Sequence, residues 1–177
     1  MGASLSYLVV QGPTPQEVLR RLGLEVRDPV PAPHAWHDLN GAELPGGWYL
    51  VLGGDDVTER VVDRVLAPLS AGCTVLAVMA FEGTMYSLAV QYRDGRQIWQ
   101  LEHSPDSGVT HLDVTGSAPA ELAGVHGEAL RRQAAERDDV DHVFDVPATV
   151  AAAICGYHWD RDQLPTGRPG YVALGSP

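Results

Sequence analysis

The tetrapeptide Arg93-Asp94-Gly95-Arg96 constrains this chain more than any other stretch, because it joins two strand-like segments, 88–92 and 97–103. An Asp-Gly pair enters the left-handed backbone of a two-residue hairpin turn at little cost, and such a turn makes its flanks run antiparallel. Pairing Tyr92 with Gln97, Val90 with Trp99 and Leu88 with Leu101 leaves one apolar face. Ala89, Gln91, Ile98 and Gln100 then take the other face. The register is self-consistent, since a slip of one residue turns every side chain over. The apolar run 73–81 reads as a central strand beside the hairpin, and 110–115 as another after the turn Asp106-Ser107-Gly108. Matching Leu101 with Leu112 and Trp99 with Val114 keeps the same face apolar.

Helices alternate with these strands. Residues 5–10 form a strand closed by Gly12-Pro13, and Thr14-Pro15-Gln16-Glu17 then supplies an N-cap, a first-turn proline and a capping-box acid. Val18, Leu19 and Leu22 give that helix its apolar face, and Gly23 ends it. Residues 48–52 read as a strand and 55–69 as a helix striped by Val57, Val61, Val62, Val65 and Leu66. A further helix over 119–137 carries Leu122, Val125, Ala129, Leu130 and Gln133 along one side. Pro147 opens a shorter one that runs to Cys155, before Gly156. Residues 28–47, rich in Pro and Gly, read as a long loop with no regular element, and loops of that length are functional or mobile. The Gly/Pro-rich tail 163–177 has one apolar run, 171–174, suited to an edge strand. The expected architecture is a single α+β domain over 1–177: a mainly antiparallel sheet of five or six strands with helices packed against it.

A chain of 177 residues with 45% apolar and 20% charged residues has enough apolar surface to bury a core. It has no apolar run of the ~18 residues that a membrane helix needs. Met1-Gly2-Ala3-Ser4-Leu5 does not begin a secretory leader. The two cysteines, Cys73 and Cys155, suit neither a disulfide scaffold nor a metal knuckle, so a cytoplasmic protein with reduced thiols is expected. Twenty-three acidic residues stand against twelve basic ones, all arginine, for a formal charge of -11. Such a surface repels a phosphate backbone, so no nucleic-acid partner is expected, and Arg20-Arg21 and Arg131-Arg132 read as solvated helix positions. The same charge suits an encounter with a basic protein.

Patterns of catalysis are missing. There is no Gly-x-Ser-x-Gly elbow, His-Glu-x-x-His or calcium loop, and both cysteines read as small core residues. Gly53-Gly54 is followed by Asp55 and Asp56, whose charge opposes a phosphate. A metal pair of His103 and His111 needs Leu101 opposite Asp113, which hydrophobic matching disfavours. No cofactor is expected. Two aromatic and charged clusters remain: His34-Ala35-Trp36-His37-Asp38 in the long loop, and Gly156-Tyr157-His158-Trp159-Asp160-Arg161-Asp162 after the last helix. Trp36 and Trp159 are suited to anchor an interface, because tryptophan buries a large rigid surface at little entropic cost. His34, His37 and Asp38 carry donors that suit zinc. In the run 138–145, Asp139, Asp141 and Asp145 alternate with apolar residues that hold the segment down while the carboxylates point outward.

Over roughly residues 47–162 the chain resembles an uncharacterised family of bacterial α+β proteins. The resemblance lies in Gly47-Trp48-Tyr49, in Gln97-Ile98-Trp99 leading to His103, in the stretch from Asp139 to Pro147, and in Gly156-Tyr157-His158 with Asp160. These motifs are structural, and the resemblance implies no activity. In size, acidity and layout the chain is also similar in type to the immunity proteins that accompany bacterial toxins.

The functional expectation is therefore a non-catalytic protein-binding role, with an acidic immunity-type protein that blocks a basic toxin as its most concrete form. The contact would use Asp139, Asp141 and Asp145 with Trp36, His158 and Trp159. The alternative is a small metal-binding protein or enzyme that uses the His34/His37/Asp38 loop, joined by His158.

Overall fold

The computed structural model describes residues 4–29, 39–135, 140–161, 164 and 167–177. Nine strands run β1 (Ser4–Gln11), β2 (Glu25–Pro29), β3 (Asn40–Leu44), β4 (Trp48–Gly53), β5 (Thr74–Phe81), β6 (Tyr86–Arg93), β7 (Arg96–His103), β8 (Asp113–Gly116) and β9 (Val172–Gly175). They form one open sheet in the order β2-β9-β3-β4-β1-β5-β6-β7-β8. Every neighbouring pair is antiparallel. The helices are α1 (Pro15–Leu22), α2 (Asp55–Thr58), α3 (Asp63–Leu69), α4 (Leu122–Ala135) and α5 (Val146–Cys155). The α+β class is as expected, but the sheet is larger than the five or six strands read from the sequence.

The sheet buries both of its faces. Val18 and Leu19 of α1, Val57 of α2 and Leu66 of α3 join Leu8, Val10, Val75 and Val90 on one side. Val146, Val150 and Ala151 of α5 and Ala129 of α4 join Tyr7, Val9, Leu76 and Leu101 on the other. The chain is thus a three-layer stack around a two-sided sheet.

Local chemistry accounts for most element boundaries. Thr14 Oγ1 accepts the Glu17 amide at 3.3 Å, and Gly23 closes α1 in the left-handed region at φ 66°. Arg21 is not the solvated residue expected: its guanidinium donates to the carbonyls of Leu69 and Ala71 at 3.0 and 2.9 Å. The helix expected over 55–69 is two helices. Val62 adopts extended backbone at φ −139° between them, in keeping with the poor helix propensity of the paired β-branched Val61 and Val62. The region 28–47, expected to hold no regular element, contains the end of β2 and all of β3. Gly41 belongs to that strand for a packing reason, since a Cβ there would lie 2.3 Å from Tyr49 Oη. The run near 171–174 is not an edge strand: β9 lies between β2 and β3.

The hairpin forms at Asp94 and Gly95, both at positive φ, and Tyr92 pairs with Gln97 as expected. Beyond that pair the register differs. Ile98 is bulged out, so Trp99 lies opposite Gln91 and Leu101 opposite Ala89. The extra residue sends Trp99 and Leu101 to the face covered by α4 and α5, while Leu88, Val90 and Tyr92 stay on the other face. There the Trp99 indole N–H donates to the Gln91 side-chain oxygen. On β8, Val114 lies opposite Leu101 and Gly116 opposite Trp99, two residues beyond the expected match.

Candidate functional site

The bulge in β7 also decides where His103 goes. On the α5 side of the sheet it is fully buried. Its Nδ1 donates to the His111 carbonyl at 2.7 Å, and its Nε2 lies 2.9 Å from Asp141 Oδ2. The other oxygen of Asp141 accepts the backbone amides of Val143 and Phe144, both at 3.1 Å. Ser87 of β6 donates to the Phe144 carbonyl at 2.6 Å, and the Gln133 amide of α4 joins the Val140 carbonyl to the His142 N–H. Together these bonds fasten the segment leading into α5 to β6, β7 and α4. Asp141 does not point outward as expected: its side chain is 9% exposed and holds the turn together. His103 and His111 form no metal pair, because His111 contributes its carbonyl to His103 and pairs its own ring with Asp113.

At the far end of α5, Gly156 takes φ 80° and turns the chain back. Tyr157 is buried edge-on against Tyr7, with ring centroids 5.1 Å apart. That anchor sets His158 and Trp159, whose rings stack 6.1 Å apart, beside the start of the helix. His158 is buried, and its Nδ1 lies 2.5 Å from Asp160 Oδ1. A groove of about 500 Å³ results, lined by Phe144 and Trp159, by Asp141, Asp145 and Asp160, and by Glu82 from the turn between β5 and β6. Met85 and Val140 complete its rim, and Val140 is 51% exposed.

The electrostatics of this groove centre on Asp145, which keeps a solvent-exposed edge at the N-terminus of α5. The protein packed around its carboxyl pushes the pKa above the ordinary aspartate value, and the neighbouring charge of Asp160 adds to the rise. His158, Arg132 and His142 pull the other way. An acid whose pKa rises on folding gives its full stabilisation below its unfolded pKa and loses it as pH rises through the folded value. The ionised form of Asp145 is therefore the one that the fold disfavours.

Of the residues singled out from sequence, Asp141, Asp145 and Trp159 line this one groove, and His158 stacks on Trp159 and lines a neighbouring cleft. Trp36, Asp139 and the alternative trio His34, His37 and Asp38 lie outside the described residues. Sequence reasoning missed Glu82, a turn acid with no local signal, and the positioning role of His103, which meets Asp141 across 38 positions. Among the described residues no group of three or more His, Cys, Asp or Glu side chains is placed to hold a metal ion. Both cysteines are buried, and burial pushes the Cys155 thiol up to about 11, away from a nucleophile's range. Among the described residues no helix is long and apolar enough to cross a membrane. The chain matches no protein-family model, no curated protein and no solved structure.

Proposed function

We propose that the protein works without catalysis, by binding a basic protein through the groove at the entry to α5. Its most concrete form is an immunity-type protein that covers a toxin. The observation that carries this reading is the placement of three carboxylates, Glu82, Asp145 and Asp160, around the rings of Phe144 and Trp159. Arginine side chains suit such a surface, because a guanidinium pairs with a carboxylate through two parallel bonds and stacks on an indole face. The formal charge of -11 adds long-range attraction toward a basic partner. Buried Tyr157 and the His103–Asp141 contact hold the groove's walls in place before a partner arrives, which lowers the cost of binding.

The test is capture from the cells that make the protein, washed at low and then high salt, with the parent and three variants compared as bait. A basic partner held in a one-to-one ratio and released by salt is the expected result. Glu82→Arg and Trp159→Ala should each weaken its affinity by about tenfold or more, whereas Glu25→Arg on β2 should not. A partner held equally well by all of these forms would place the contact elsewhere, and the absence of any stoichiometric partner at low salt would overturn the reading.

A further inference from the structure

On the α1 side of the sheet, across it from the acidic groove, a cleft of about 290 Å³ opens between the end of α1 and α3. Its floor is apolar, formed by Leu22, Val65, Pro68 and Leu69. Three arginines, Arg21, Arg60 and Arg64, stand around that floor. Among the described residues no aspartate or glutamate lines the cleft, in a chain that carries 23 acids against 12 basic residues. Like charges that gather in this way repel one another unless counter-charges meet them.

The charge of Arg21 is met. Its Nε pairs with Glu17 at 2.8 Å, and a terminal nitrogen donates to the carbonyls of Leu69 and Ala71 where α3 ends. The other two arginines differ. Arg60, in the link between α2 and α3, donates from one terminal nitrogen to the Leu22 carbonyl at 3.1 Å, where α1 ends. That bond holds the guanidinium at the cleft but opposes its charge with a neutral oxygen only. Its Nε is covered and, among the described residues, has no hydrogen-bond partner. A buried donor of this kind is costly unless something pairs with it. Arg64 is exposed on α3 and makes no ion pair or hydrogen bond among the described residues. Asp63, next to it in sequence, is engaged instead by the Tyr92 hydroxyl at 3.0 Å.

One ligand chemistry answers both the unmet charge and the apolar floor. We infer that the cleft between α1 and α3 binds a small organic carboxylate with an apolar body, of the benzoate class. The carboxylate lies between Arg60 and Arg64, and the body rests on Leu22, Val65 and Leu69. A guanidinium offers paired N–H groups that match the two oxygens of a carboxylate. Inorganic phosphate carries the charge but has nothing to lay on the floor. The volume is at the lower end of small-molecule sites and suits a single ring. This site shares no lining residue with the protein-binding groove and does not depend on it.

The probe is benzoate, titrated into the isotope-labelled full chain at moderate salt and followed through backbone amide shifts. Benzyl alcohol serves as the uncharged ring and inorganic phosphate as the charge without a body. The expected result is a saturable shift confined to the end of α1, the link before α3, and α3 itself. Benzyl alcohol and phosphate should each bind about tenfold more weakly or worse. Arg64→Gln, at an exposed side chain that the fold does not use, should weaken benzoate about tenfold, and Arg64→Glu should abolish saturation. Arg131→Gln on α4, across the sheet, should leave the affinity within about twofold, because screening confines the effect of a distant charge. The inference is overturned if benzoate gives no saturable shift, if its shifts scatter over the arginines of the whole chain, or if either control binds as tightly as benzoate. It is overturned equally if Arg64→Gln binds like the parent.

Discussion

Asp141 illustrates how a single residue can look like a binding group and serve as a fastener. Both carboxylate oxygens are committed, one to two backbone amides and the other to His103. Asp141→Ala strands those amides and leaves a buried imidazole without its partner, for an expected loss of about 3 kcal/mol. Asp141→Asn keeps an oxygen for the amides and offers an N–H₂ to His103 Nε2, so its expected loss is under about 1 kcal/mol. Urea denaturation of the two variants checks this, and an equal loss in both would mean that charge rather than hydrogen bonding holds the turn. The sequence marked Asp141, Asp145, His158 and Trp159 as a set because each is polar or aromatic in a segment of broken apolar pattern. It could not separate fastener from surface, since that depends on which strand residue lies beneath. His103 and Asp141 meet only through the tertiary fold, and no spacing rule links positions so far apart.

At the scale of elements, the helix signals were legible because caps are local chemistry: Thr14, Pro15 and Gly23 bound α1 by contacts within a few residues. The β6–β7 hairpin was legible at its turn and misread beyond it. Register is strongly specified when one face is apolar and the other polar, and here both faces are buried, so either alignment gives an apolar match. What selects the bulged alignment is Trp99, whose indole N–H finds Gln91 only in that register. β3 escaped notice because Asn40 and Gly41 carry turn chemistry, although Gly41 is there to admit the Tyr49 ring. The far edge depends on another glycine. Gly116 sits at φ 80°, and a Cβ built on it would lie 2.2 Å from the Ile98 carbonyl oxygen, a backbone atom that cannot step aside. Gly116→Ala should therefore cost about 2 kcal/mol or more and free β8 from β7. Val114→Ala, at a side chain 45% exposed, should change stability by less than about 0.5 kcal/mol. Amide exchange would show the effect as lost protection in β8 with β5 and β6 unchanged, and uniform loss across the sheet would contradict a local role.

The whole molecule is ordered around a sheet whose two halves are assembled differently. From β5 to β8 each strand pairs with the next in sequence, whereas the other half is closed by β9, which inserts between β2 and β3. Among the described residues β2 pairs with β9 alone, so a strand from the end of the chain holds one from near its beginning. The α5 region, which carries the acidic groove, lies against β5, β6 and β7, away from that seam. Damage to the seam should therefore lower stability while leaving the site's geometry in place. Leu174 is the seam's buried side chain, packed with Leu19, Leu24 and Tyr49 on the α1 side of the sheet. Leu174→Ala is expected to cost about 2–4 kcal/mol, the range for a large-to-small change in a packed core. The loss should appear in amide exchange as opening of β2, β3 and β9 ahead of global unfolding, because strands with few partners open as a local unit. Asp145 and His158 should keep their parent proton resonances in the same variant. If their signals shift together with those of β2, the two halves are one cooperative body and the separation of seam from site fails. If only the seam opens, the protein carries its acidic groove on a half that holds its shape while the other half breathes.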